Sequence, residues 1–163
     1  MKSNQNIQWI ILGDGRKKDW LQEEVKRLGL KSVFHILGSF PPTEMPNFFF
    51  HCDAMLVTLK DSNVFSLTVP NKIQSYLAFG KPVLGMLNGE GASIIEDANA
   101  GFSCNAGDYK QLAKNVERLY CSDNILLQKM GENAKKYCTE TFNRSDLFKK
   151  FEKTYSELHH ENL

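Results

Sequence analysis

Two short stretches carry residue types that bind anions, at spacings that suit the task. Gly13-Asp14-Gly15-Arg16 sets two glycines and a cation within four positions. Glycine lets backbone amides come close to a phosphate at a helix start, and Arg16 adds charge. The same residues also make an ordinary tight turn, and spacing leaves both readings open. Thr68-Val69-Pro70-Asn71-Lys72 is the second stretch. Proline in the first helical position loses no hydrogen bond, because its missing donor would be unpaired there anyway. The remaining amides, with the partial positive charge of the helix start, suit a diphosphate. Thr68 or Asn71 offers a side-chain contact and Lys72 a compact cation. The plainer alternative makes Thr68 a helix cap and Lys72 a solvated surface lysine.

Other chemistries find less support. A dinucleotide fingerprint needs a third glycine where Lys18 stands, and an acidic residue near the end of the next strand, where Leu37-Gly38-Ser39 offers none. Nicotinamide cofactors are therefore disfavoured. No Ser/His/Asp or Cys/His nucleophilic set can be assembled, and no catalytic residue is assigned. His35 and His51 read as core histidines, Phe48-Phe49-Phe50 as helix packing, and Lys135-Lys136 and Lys149-Lys150 as solvated helix faces. Cys52, Cys104, Cys121 and Cys138 lack zinc-ligand spacing, so they read as reduced, mostly buried thiols in a cytosolic compartment, with no metal expected.

The elements that must position these residues alternate. Apolar runs at 7–12, 32–37, 54–59 and 82–86, with a short one at 101–104, read as strands. The run at 7–12, apolar but for Gln8, is read as a strand buried on both faces. Helices are expected at 16–28, 45–51, 70–79, 93–99, after Asp108, and at 125–137 and 145–158. Ser93 with Glu96 forms a capping box for the fourth. Residues 60–69 read as a polar loop. The pattern predicts an α/β fold, a Rossmann-like parallel sheet with helices on both faces. Ligands in such folds sit beyond the carboxyl ends of the strands, so the loops at 13–17, 38–44, 60–70 and 87–93 matter most.

The chain has 163 residues, 42% of them hydrophobic and 24% charged, values of one ordinary globular domain spanning 1–163. A net charge of +1 gives no pull toward nucleic acid or an acidic membrane. The polar start, Met1 to Asn6, lacks the apolar core of a signal peptide.

The ordered series Gly13-Asp14-Gly15-Arg16, Ile36-Leu37-Gly38-Ser39-Phe40, the run from His51 to Val57, the run from Val69 to Val83, Gly91 to Glu96, Ala100-Gly101-Phe102 and Ala106-Gly107-Asp108 resembles the C-terminal domain of GT-B glycosyltransferases. Its nearest likeness is the large retaining family of bacterial surface-polysaccharide enzymes. The V-P-N-K-I-Q-S-Y-L-A-F-G-K-P-V form is similar to amino-sugar transferases of the N-acetylfucosamine type. The resemblance covers nearly the whole chain and implies one half of a GT-B fold that binds a UDP-sugar as substrate, without cofactor or metal. It implies that Gly38, Ser39 and Phe40 hold the base. Backbone amides of Ser66, Leu67, Thr68 and Val69 would hold the diphosphate, with Gly13 to Gly15 bordering the cleft.

Two departures accompany it. Where the family often carries two glutamates, this chain has Leu67 and Ser75. Ser75 can still bond a ribose hydroxyl, though more weakly than a carboxylate, and Asn71 and Gln74 are available to share the task. The acceptor-binding N-terminal domain is expected to be missing, so the isolated chain is expected to turn nothing over. The bare aromatic face of the last helix would then favour self-association. The whole enzyme would act on a lipid-linked or saccharide acceptor, in the cytoplasm or at the inner face of the membrane. Two other readings stay open: half of a sugar-nucleotide epimerase, and a non-enzymatic nucleotide-binding or partner-docking module.

Overall fold

The computed structural model describes residues 6–160; Met1 to Gln5, most of the polar start, and residues 161–163 lie outside them, as do the side chains of Leu158, His159 and His160. The chain divides into two compact units between His51 and Cys52.

In the first unit, β1 (Trp9–Leu12) leads through α1 (Lys18–Arg27) to β2 (Phe34–Gly38), and a 3₁₀ turn (Pro42–Glu44) runs into α2 (Met45–His51). β1 and β2 pair in parallel with Trp9 opposite Phe34, and their rings stack at 5.5 Å. The apolar run at 7–12 does not make a strand buried on both faces: Ile10 is 48% exposed. A two-stranded sheet cannot enclose both sides of its edge. His35 is half-buried and its Nε2 lies 2.7 Å from Gln8 Oε1, so it is a satisfied histidine. His51 is exposed, against expectation, at the end of α2 with its ring edge-on to Phe50.

The second unit holds β3 (Met55–Thr58), α3 (Asn63–Ser66), α4 (Asn71–Phe79), β4 (Val83–Met86), α5 (Glu90–Asp97), β5 (Gly101–Cys104), α6 (Tyr109–Tyr120), α7 (Asn124–Thr141) and α8 (Arg144–His160). Its three strands are parallel in the order β3-β4-β5, with β4 central. Val83, Leu84 and Gly85 are buried accordingly, as a strand covered on both faces should be. The core gathers Val57, Ile73, Leu77, Val83, Leu87 and Ile95. Complete burial of a side chain such as Ile73 or Leu77 contributes about 1.5–3 kcal/mol. Gly80 closes α4 in the left-handed conformation, φ +74°, and a β-carbon on Gly131 would overlap the Gly80 carbonyl. That missing carbon lets α7 lie against the end of α4. The fold is thus α/β, with parallel sheets flanked by helices.

Three local expectations are corrected. The loop at 60–69 contains a full helical turn, α3. Helix α5 starts at Glu90 rather than Ser93, so Ser93 caps nothing and Glu96 instead accepts the Ser103 hydroxyl. Gly91 explains the earlier start: it sits against Leu87, Ile73 and Pro70, where a larger residue would not fit. Finally, the four cysteines are free thiols but none is fully buried, and Cys121, just past the end of α6, is exposed.

Candidate functional site

In the first unit, the two expected loops meet. The Gly13 amide donates to the Gly38 carbonyl at 2.7 Å, tying the turn after β1 to the end of β2. Gly13 and Gly38 take φ of +123° and +79°, and β-carbons built on Gly13 or Gly15 meet nothing within 4 Å. The Gly15 amide is already engaged: Asp14 Oδ1 accepts it at 2.8 Å, while Asp14 Oδ2 lies 3.2 Å from Lys18 Nζ. These contacts, the Gly15 amide first and then Lys18, hold the Asp14 carboxyl below its usual range. The turn therefore carries its own anion. Arg16 and Ser39 are exposed, and Phe40 packs edge-on against Phe48 at 4.7 Å. A hollow of about 550 Å³ between α1 and β2, lined by Lys26, Lys31 and Phe34, includes none of the expected residues.

In the second unit, the turn from α3 into α4 is well defined. The amides of Ser66 and Leu67 are spent inside α3, on the carbonyls of Ser62 and Asn63 at 3.0 and 3.2 Å. Two of the four expected amide donors are thus occupied. The Ser66 and Thr68 hydroxyls donate back to Asn63 and Val64 carbonyls, so Thr68 does not cap α4. Pro70 precedes the first helical residue rather than filling it, no side chain caps α4, and the first backbone bond runs from the Ile73 amide to the Pro70 carbonyl. Asn71 and Lys72 stand exposed at this start; Ser75, one turn on, donates to the Asn71 carbonyl. Val69 packs on the core and anchors the turn. Leu67 is 79% exposed, with Val64 and Phe65 exposed beside it.

Three residues that spacing did not single out shape the neighbouring loops. Gly89, φ +73°, abuts the Ser66 backbone so closely that any β-carbon would overlap it. Asn88 donates to Asp61 Oδ1 at 2.9 Å and accepts the Ala106 amide at 3.0 Å. One side chain so links the loops after β3, β4 and β5. Beside it opens a cleft of about 430 Å³ lined by Thr58, Leu59, Lys60, Asp61, Met86, Ala106 and Gly107, beyond the carboxyl ends of the strands. The Asn-Gly pair at 88–89 was the one signal in the sequence, and it reads only as a turn.

Residues 1–137 match the family model described as glycosyl transferases group 1. The chain belongs to this family. As a group 1 chain it is 28% identical over 123 residues to the probable glycosyltransferase WbjE of Pseudomonas aeruginosa, covering 71% of its own length and 29% of that protein. Its fold matches Alr3699/HepE of Anabaena, solved with UDP, at a TM-score of 0.79 and 21% identity, over 93% of this chain and 41% of that one. The same protein solved with UDP-glucose gives a TM-score of 0.77. The pneumococcal O-GlcNAc transferase GtfA, solved with UDP and GlcNAc, gives 0.76 at 17% identity, over 98% of this chain and 31% of that one. The group 1 chain spans less than half the length of each of these proteins.

Proposed function

We propose that this chain is the donor-binding part of a glycosyltransferase, the C-terminal half of a GT-B enzyme, and that it takes a UDP-sugar. The observation that carries the reading is the start of α4, which no side chain caps and which presents Asn71 and Lys72 to solvent. Amides at a helix start with a cation beside them suit a diphosphate. The Thr68 and Val69 amides join this seat, and Ser75 lies one turn away to meet a ribose hydroxyl. Helix-end amides and Lys72 neutralise charge here without a metal. Neighbours of like fold solved with UDP and UDP-glucose support the donor class.

Leu67, Val64 and Phe65 favour an N-acetylated amino sugar of the N-acetylfucosamine kind. They offer apolar surface beside the seat, which suits the methyl group of an N-acetyl substituent. In the whole enzyme an N-terminal domain supplies the acceptor groups, and the product is a lipid-linked or saccharide intermediate of surface polysaccharide made at the cytoplasmic side of the membrane.

Thermal denaturation with UDP, ADP and NAD tests the reading. Saturating UDP, at 100 times its dissociation constant, adds about 2.7 kcal/mol and raises the midpoint by roughly 5–10 °C. ADP and NAD should do less. An equal or flat response to all three removes the donor assignment and favours the second reading, a docking module. The exposed Phe148, Phe151 and Tyr155 of α8 are the observation behind that alternative.

A further inference from the structure

Asp61 is exposed in the loop after β3, on the rim of the cleft beyond the strand ends. Its Oδ1 is held by the Asn88 amide. The orientation of that amide is fixed by a second bond. Asn88 Oδ1 faces the Ala106 N–H, an obligate donor, so the Asn88 NH₂ must face Asp61. A carboxylate accepts up to about four hydrogen bonds, and Asn88 uses one. Among the described residues Asp61 forms no ion pair, and no cluster of metal-ligating side chains surrounds it. The structure therefore presents an aimed acceptor with bonding capacity left over and, among the described residues, no ion pair.

The chain sets this acceptor beside the diphosphate seat. Asn88 touches Asp61, while its neighbour Gly89 presses on Ser66, the residue that opens the turn into α4. Two residues further on, Gly91 fits against Pro70. The 88–91 segment thus touches both the acceptor and the turn that leads into the seat.

We infer that Asp61 is a sugar-binding residue: its carboxylate, aimed by Asn88, accepts a hydroxyl of the hexose carried by the nucleotide donor, and the cleft lined by Lys60, Met86 and Gly107 receives the ring. This rests on the donor-binding reading and names the group that tells one donor sugar from bare nucleotide. Asp61 does work that neither Leu67 nor Ser75 can do, since neither offers a carboxylate.

Calorimetric titration of the full chain with UDP, UDP-glucose and UDP-N-acetylglucosamine tests it. At least one sugar nucleotide should bind more tightly than UDP. Asp61→Asn, which keeps the shape and a bond to Asn88, should shrink that advantage by about 10-fold, the size of one hydrogen bond to a charged group. Asn88→Ala should shrink it too, but have no further effect in the Asp61→Asn background, because it acts through Asp61. Thermal midpoints of the variants report folding separately. If neither sugar nucleotide outbinds UDP, or if Asp61→Asn leaves the advantage intact or weakens all three ligands alike, Asp61 is only a loop tie and the inference falls. If UDP itself does not bind, the donor-site reading falls first and takes this one with it.

Discussion

Gly89 stands where its missing β-carbon would overlap the carbonyl of Ser66. The loop after β4 can support the turn into α4 only because nothing projects from that position, and its φ of +73° adds a second demand for glycine. Gly89→Ala must push the two segments apart and strain its own backbone. We expect a loss of about 1–3 kcal/mol, read as a fall of several degrees in the thermal midpoint. UDP affinity should fall with it, and a variant of unchanged midpoint would show that the close approach is not obligatory.

Lys72 is exposed at the start of α4. Lys72→Ala should leave the fold within ±0.5 kcal/mol, as surface changes usually do, and weaken UDP binding several-fold. The difference between variant and native chain should shrink as salt rises through the screening range. Equal affinities at low salt would reduce the lysine to a solubilising charge.

Asp108 and Asp123 cap α6 and α7, each accepting an amide three residues on, at 2.9 and 2.7 Å. Replacing either by alanine should cost about 0.5–2 kcal/mol in urea denaturation with an unchanged slope. Leu77→Ala, in the fully buried core, should cost about 2–5 kcal/mol. The ranking of these three variants, rather than any single value, is the check.

Burial pushes the Cys52, Cys104 and Cys138 thiols up, while Cys121 is exposed. Since the thiolate is the reactive form, one thiol should be alkylated quickly at neutral pH. Peptide mapping should find it at Cys121. Labelling of Cys52 first would mean that burial does not govern reactivity here.

Asp14, paired with the Gly15 amide and Lys18, ionises more readily folded than unfolded. Its stabilising contribution is therefore present above the ordinary carboxylate range and lost as pH falls through its lowered value. An NMR titration should show the Asp14 carboxyl shifting at lower pH in the folded chain than in the urea-unfolded chain. Asp14→Asn should flatten only the acid limb of the stability profile.

Much of this was legible from local chemistry. The end of α4 at 79, the start of α6 after Asp108, the limits of α2 and the short strand at 101–104 all follow from residues that act on their own neighbours. What failed depended on distant partners. Helix α3 is four residues long, too short to show a period. Ser93 and Glu96 have the spacing of a capping box, yet the packing of Gly91 against Leu87 and Ile73 starts the helix earlier. Ile10 reads as core because an apolar run does not say how many strands will flank it. Of the anion-binding residues, the sequence located the turn, but not that α3 would take the Ser66 and Leu67 amides. Nor could it pair Asp61 with Asn88, 27 positions apart.

Every described side chain from Arg144 to Glu157 is exposed, so α8 borrows almost nothing from the body of the protein. In proteins most helical stability comes from packing an apolar face, a contribution that α8 lacks. Its i,i+3 and i,i+4 pairs, Lys149 with Asp146 and Lys153 with Glu157, add only a few tenths of a kcal/mol each. The last helix should therefore exchange its amide hydrogens and admit trypsin long before the core opens, melting as a separate event that the main transition never registers.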